Sequence, residues 1–367
     1  MAVLLVDSFD HYVTADMTKK WTTHTIGSVD TVVIASGEGR SSTDCLRVTG
    51  SAGAGGAFYA GGLGVTVAPA DATFIVGFRL KVTNITEAGS SGDLLTETAG
   101  GFNASCLFAI RNASSTIFFV RLNNNGTLTA VRTGTALGTT TLTLSEATWH
   151  YIEVKVRIAS GATGTVDIRI DEQTALALTS VITSSGSAWD EFRTGLLHSE
   201  SLASDLIFRY DDFYLLDGSG DTSNDFLGDL RVDVLRPNAA GDTTSWTPST
   251  GAVNYVLVDD TTANGDTDYV STNTLDAIDV YNYPDAPVVG APIKAVQLCM
   301  YVKKEDAGAA TLAGVTRISG VNYVGSDLAP TTSYLIKRQI WDVKPSDSDE
   351  WGYTDLNAAQ FGTKKTL

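Results

Sequence analysis

The sequence predicts an all-β protein built as two antiparallel β-sandwich (jelly-roll) domains, with one short helix near the C-terminus. Three observations carry this. Short runs of residues alternate apolar and polar with period 2, most clearly between Tyr151 and Ile170. Gly, Ser and Thr crowd the segments between those runs, and Gly alone accounts for 35 of the 367 residues. No stretch long enough for a stable helix shows the 3.6-residue period of an amphipathic one. The length suits two domains better than one.

The best-determined stretch is 148–179. Ile152, Val154, Val156 and Ile158 alternate with Tyr151, Glu153, Lys155 and Arg157, and Val166, Ile168 and Ile170 alternate with Asp167, Arg169 and Asp171. The two runs read as an antiparallel hairpin turned between Ala159 and Gly164. Charge pairing sets a register with Val156 facing Val166, Lys155 facing Asp167 and Glu153 facing Arg169.

The remaining elements follow in order. Strands are expected at 2–6, 29–35, 44–50 and 73–83, with Gly77 marking a bulge. Gly-rich loops are expected at 51–64 and 87–103, and a hairpin at 105–111 and 116–122. Asn123–Gly126 is a turn, because Asn and Gly accept positive φ cheaply. A strand over 205–217 that bends near Asp211 and Asp212 closes a first domain of residues 1–217. The stretch 218–225 has no apolar residue and reads as a linker to a second domain, 226–367. In that domain 230–235 reads as a strand, 293–303 as a central strand with 311–318 and 333–341 as its partners, and 354–361 as the helix, capped by Thr354 and Gly362.

The net charge of −17 argues against nucleic-acid partners and against an anionic membrane surface. The first residues lack a basic segment and a long apolar segment, so they do not read as a signal peptide, and no run is long enough to insert in a membrane. Cys45, Cys106 and Cys299 are odd in number and match no metal or redox spacing, so they read as free thiols.

Three chemistries are weighed on the residues. Hydrolysis of a glycoside needs two suitably spaced carboxylates. The nearest pattern, Asp167 with Asp171 and Glu172, has Arg169 between the acids and the wrong spacing, so the chain reads as no enzyme. Calcium needs six to eight oxygens. Asp7 and Asp10 meet Asp211 and Asp212 if the first and last strands are adjacent, which makes these four the metal candidates and Ca²⁺ the one cofactor suggested; capping and turn roles are the other reading. Glycans stack on aromatics. Trp189, Trp246, Tyr281 and Tyr283 lie in loop-like surroundings, with packed loop anchors as the other reading.

Two sets of motifs carry a resemblance. Asp7-Ser-Phe-Asp10, Trp149-His-Tyr-Ile-Glu-Val154 and Tyr210-Asp-Asp-Phe-Tyr214 make the first domain similar to the concanavalin A-like lectin/glucanase sandwich in its laminin-G-like form. Asp225-Phe-Leu-Gly-Asp-Leu-Arg-Val232, Pro237-Asn238, Trp246-Thr-Pro-Ser249, Ile340-Trp341 and Leu356-Asn-Ala-Ala359 make the remainder resemble a module of tailed-bacteriophage structural and tail proteins. That resemblance implies a structural component of a virion, as capsid decoration or tail subunit. Its partners would be other virion proteins and copies of itself, with no nucleic acid and no membrane insertion, and it would be made in the host cytoplasm. The alternative is a lectin-like module on the virion that adheres to host-surface glycans.

Overall fold

The computed structural model describes residues 3–25, 31–51, 59–89, 97–98, 101–102, 105–113, 115–186, 188–198 and 202–367. Much of the two expected Gly-rich loops lies outside them. The chain divides into two compact units, Met1–Val232 and Asp233–Leu367. Both are built from antiparallel strands, as the alternating sequence predicts.

In the first unit an eight-stranded sheet runs in the order Gln173–Val181, Gly164–Ile170, Trp149–Arg157, Thr73–Thr83, Leu206–Asp217, Cys45–Gly50 and Thr31–Ala35. Val3–Asp7 pairs with the second half of Leu206–Asp217, so the first and last strands are neighbours. A seven-stranded sheet runs Thr135–Thr143, Thr127–Arg132, Ser115–Leu122, Ser105–Asn112, Glu191–His198, Tyr59–Thr66 and Thr23–Thr25. Tyr59–Thr66 is thus a strand although its glycines suggest a loop. The 148–179 hairpin has the register that its charges select, with Val156 opposite Val166 and Glu153 opposite Arg169.

The apolar faces of the two sheets supply one aromatic core. Phe74 lies 5.7 Å from Phe118 and Phe78 lies 5.4 Å from Tyr210, centroid to centroid. Phe108, Phe192 and Phe213 continue it. Aromatic pairs at these separations add to the area they bury. Met17–Lys20 is a single short helical turn, not foreseen, and places Met17 and Trp21 fully inside.

The long strand Leu206–Asp217 does not run straight. Its pairing with Thr73–Thr83 slips between Asp211 and Tyr214, and Asp212 takes φ 49°. Gly77 lies opposite this slip but is itself regular. What it supplies is room: a Cβ there would meet Tyr214 Cε1 at 2.2 Å. The Tyr214 ring crosses Gly77 and its hydroxyl donates to Glu153 Oε1 at 2.6 Å.

In the second unit a five-stranded sheet runs Ala239–Thr244, Ile278–Asn282, Gln360–Lys365, Leu312–Ile318 and Val321–Val324. Val296–Val302 pairs with Leu335–Trp341 as a two-stranded ribbon, so the apolar run 293–303 is not a central strand, and Leu312–Ile318 belongs to the other sheet. Trp341, Trp351, Ala359 and Phe361 form a core with Leu298 and Ile293 packed against it. The helix is Tyr353–Ala358, begun at Gly352 rather than Thr354. It stops at Ala359, and Gly362, read as its cap, lies in the strand Gln360–Lys365. Among the described residues no helix is long and apolar enough to cross a membrane.

Gly77→Ala is expected to destabilise the first unit by about 1–3 kcal/mol, the usual cost of overfilling a packed site. Gly161→Ala, where a Cβ meets nothing within 4 Å, is the control and is expected to be near neutral. Urea denaturation followed by tryptophan fluorescence reads both, and equal stability of the two variants would contradict the close-approach role of Gly77.

Candidate functional site

The metal candidates separate into two groups. Asp7 turns inward, where it accepts from Tyr12 Oη at 2.7 Å, Trp21 Nε1 at 2.9 Å and the Phe9 backbone N–H at 2.9 Å, and pairs with Lys20 Nζ at 3.0 Å. Burial works to raise its pKa, but Lys20 and His11 outweigh it and hold the carboxyl below its ordinary value. Asp10 accepts the Asp44 backbone N–H at 2.7 Å. Asp211 accepts the N–H of Arg40 at 2.7 Å and of Asp212 at 2.8 Å, and Asp212 accepts that of Val232 at 2.8 Å. Asp10, Asp211 and Asp212 are close enough to repel one another. Burial first, then Asp212, pushes Asp211 up to about 7, and burial, with Asp44 and Asp212 adding, pushes Asp10 up to about 6. Among the described residues no three His, Cys, Asp or Glu converge with the geometry to hold a metal ion.

The glycan candidates are buried or half-buried. Trp189 is buried, 5.9 Å from Phe74. Tyr281 is buried and its hydroxyl donates to Asp279 at 2.6 Å. Trp246 is half-buried, with Nε1 donating to the Ala277 carbonyl at 3.2 Å, and Tyr283 packs edge-on to Phe361. Trp189 belongs to the first unit and the other three to the second. Cys45 and Cys106 are buried and Cys299 half-buried, all as free thiols. Burial, then Asp211 and Glu38, pushes the Cys45 thiol up to about 12, so it is no nucleophile at neutral pH.

A different constellation stands out on the outer face of the eight-stranded sheet. Trp149 lies opposite Lys81, Lys81 opposite Arg209, and Arg209 opposite Arg47. Four adjacent strands thus present one aromatic and three cations in a straight cross-strand row. Like charges in directly opposed positions destabilise a sheet. Among the described residues one carboxylate meets the row: Glu38 bonds to Arg47 and accepts from Arg209 Nε at 2.7 Å. Burial acts to raise the Glu38 pKa, and the two guanidinium groups overcome it and hold it below its ordinary value. Lys81 Nζ lies 4.9 Å from the Trp149 ring centroid. The Arg47 and Arg209 side chains keep 32% and 16% of their surface exposed, and Arg47 Nε is a donor with no partner among the described residues.

One register step along, Tyr151 lies opposite Arg79 and Arg79 opposite Asp211. Beyond them Glu153, fully buried, accepts from Tyr214 and from the Gly228 backbone N–H at 2.9 Å, and its Oε2 has no partner among the described residues. This part of the face is covered by 225–232, which joins the end of the expected linker to the start of the expected second domain, and the strand expected at 230–235 is absent. The segment forms no strand because its N–H groups go to side chains: Leu227 to Tyr214 Oη, Gly228 to Glu153 and Val232 to Asp212.

No family model matches the chain, and no curated protein matches it. Solved structures do resemble it. An endo-β-1,4-glucuronan lyase from the fungus Trichoderma reesei is 16% identical, with a TM-score of 0.41, over 53% of this chain and 90% of that one. A cellulose-induced protein is 14% identical, with a TM-score of 0.38, over 54% and 91%. An alginate lyase from Aplysia kurodai is 15% identical, with a TM-score of 0.36, over 51% and 89%. The antiparallel sheets of this chain are themselves consistent with β-sandwich jelly-roll folds. Those solved structures are polysaccharide lyases and a cellulose-induced protein rather than virion components. The expected role as a virion structural subunit is therefore corrected, as is the expectation that the chain is no enzyme.

The raised acids make a pH prediction. A carboxyl whose folded pKa lies above its unfolded value binds more protons folded than unfolded, so stability falls as pH rises between the two values. For Asp211 and Asp10 that window runs from the ordinary value of 3.8 up to about 7 and about 6. The melting temperature of the first unit is expected to carry a component that falls across this window, and Asp211→Asn to flatten it. An unchanged slope in the variant, read by calorimetry, would contradict the assignment.

Proposed function

We propose that the first unit binds an acidic polysaccharide, one bearing carboxylates on its sugar units, along the row Trp149–Lys81–Arg209–Arg47. The row itself carries the reading. In a chain of net charge −17, three cations in directly opposed strand positions work against sheet stability, and Glu38 offsets only part of that. A polyanion laid across the strands offsets the rest. Neighbouring strands are about 4.8 Å apart, so the row extends about 14 Å, enough for a short run of sugar units.

Each side chain has a part. The guanidinium groups of Arg47 and Arg209 accept carboxylates in a forked geometry. Arg47 Nε is itself buried, so the exposed part of its guanidinium is what meets the ligand. Lys81 meets a further carboxylate as a point charge, and Trp149 backs the apolar face of a sugar ring. The surplus negative charge elsewhere on the molecule sets the orientation in which a polyanion approaches.

Titration calorimetry of the full chain with polyglucuronate, alginate and a neutral cello-oligosaccharide tests this. Acidic polymers are expected to bind, and added salt to weaken the binding as it screens the exposed charges. Arg47→Ala and Arg209→Ala are each expected to weaken it about tenfold, equivalent to about 1.4 kcal/mol. Equal affinity for the neutral oligosaccharide, or variants that bind as the parent does, would overturn the reading. Ultraviolet absorbance of unsaturated sugar ends in the same samples reports whether the bound chain is also cleaved.

A further inference from the structure

We propose that Arg40 and Arg79, beneath the segment 225–232, form a latent second subsite for a ligand carboxylate, which the Asp229 side chain fills in the free protein. This rests on the acidic-glycan reading of the same sheet face and extends it one register step. Asp229 Oδ1 lies 3.3 Å from Arg40 Nη1, and its Oδ2 pairs with Arg79 Nη2. A single carboxylate thus joins two guanidinium groups that come from different parts of the chain. Arg79 pays for the closeness: burial first, then the Arg40 charge, lowers its pKa. Its Nε is buried with no partner among the described residues, so Asp229 does not use the full fork.

The rest of the segment is held as a ligand would be, by side chains of the sheet and not by a ladder. Lys155 Nζ holds the Asp225 carboxylate at 3.1 Å, the Arg169 guanidinium lies 4.2 Å from the Phe226 ring centroid, and Tyr214 and Glu153 hold backbone N–H groups. Carboxylate, ring, backbone, carboxylate is the sequence of groups met along Asp225-Phe226-Leu227-Gly228-Asp229. The Asp225 and Asp229 side chains keep 68% and 32% of their surface exposed, so the segment's grip is polar and partly open to water. Arg79 lies two residues from Lys81 on the same strand, opposite both Tyr151 and Asp211, so it flanks the middle of the row, and a carboxylate of an acidic chain seated at Lys81 and Arg209 can turn to meet it. There its carboxylate competes with Asp229.

The test uses full-length protein with Asp229→Asn, and Asp229→Glu as the variant that keeps the carboxylate. Polyglucuronate oligomers of increasing length are titrated into each, with melting curves to establish folding. Asp229→Asn is expected to bind the longer oligomers about tenfold tighter than the parent. The gain should vanish when Arg79→Gln is added, and Asp229→Glu should behave as the parent. Hydrogen exchange at Leu227, Gly228 and Val232 is expected to quicken in Asp229→Asn. If the parent binds and the Arg47 and Arg209 variants weaken binding, yet Asp229→Asn gains nothing, the subsite is overturned while the proposed function stands. If parent and Asp229→Asn both fail to bind any acidic oligomer, the proposed function and the subsite that depends on it fall together.

Discussion

The first unit depends on how the strand Leu206–Asp217 is broken. Its first half pairs with Cys45–Gly50, its second half with Val3–Asp7, and its other edge with Thr73–Thr83 throughout. One continuous strand near the end of the first unit therefore joins three segments that lie far from it in sequence. The slip at Asp211–Tyr214, with Asp212 at φ 49°, is what allows this. A non-glycine residue in that conformation costs on the order of 1–3 kcal/mol unless its surroundings hold it. Here they do: Asp212 accepts from Val232 and pairs with Arg40, and its own N–H goes to Asp211. Before the slip, Arg209 faces outward in line with Lys81 and Arg47. After it, Tyr214 faces outward over Gly77 and reaches Glu153.

The slip divides the outer face into two regions of different character. On one side lie cations with a single acid to offset them and part of their surface open. On the other lie Glu153, Tyr214 and Tyr151, all buried. Burial raises the pKa of both tyrosines well above the ordinary value, so both keep their protons at neutral pH. Tyr214 gives its proton to Glu153 and accepts the Leu227 N–H, and Glu153 accepts the Gly228 N–H, so the buried groups supply acceptors to a segment of backbone that lies on the sheet face without joining the sheet. The basic region has no such cover among its described contacts. The distinction between covered and open polar surface is what singles out the row.

Much of the fold is legible in the sequence because period-2 alternation and burial are the same fact read twice. Ile152, Val154 and Val156 face the core, and the register of their hairpin follows from Lys155 and Glu153 alone. The bend at Asp211–Asp212 is legible too, since the alternation breaks there. Helix and strand limits near the C-terminus are less so. The run 293–303 looks central because it is apolar, yet it joins only a two-stranded ribbon, in which Met300 alone of Val296–Val302 is buried. The segment 230–235 looks like a strand because its apolar residues alternate, yet it forms none, and the N–H groups of Leu227, Gly228 and Val232 go to side chains instead.

The row was not legible, and the reason is physical. Arg47, Lys81, Trp149 and Arg209 are far apart in sequence, and each is an ordinary outward residue of its own strand. Only the strand order and three independent registers bring them into line. What stands out in the sequence instead is aromatics in loops and acids at the two ends of the first domain. Trp189 and Tyr281 are buried, and Asp7 serves a buried lysine.

The most direct measurement is a crystal structure of the full chain with a glucuronate oligomer bound. The account predicts sugar density across the strands at Trp149, Lys81, Arg209 and Arg47, with carboxylates on the two guanidinium groups. Density on the seven-stranded sheet, or on the second unit, with this row left bare would contradict it.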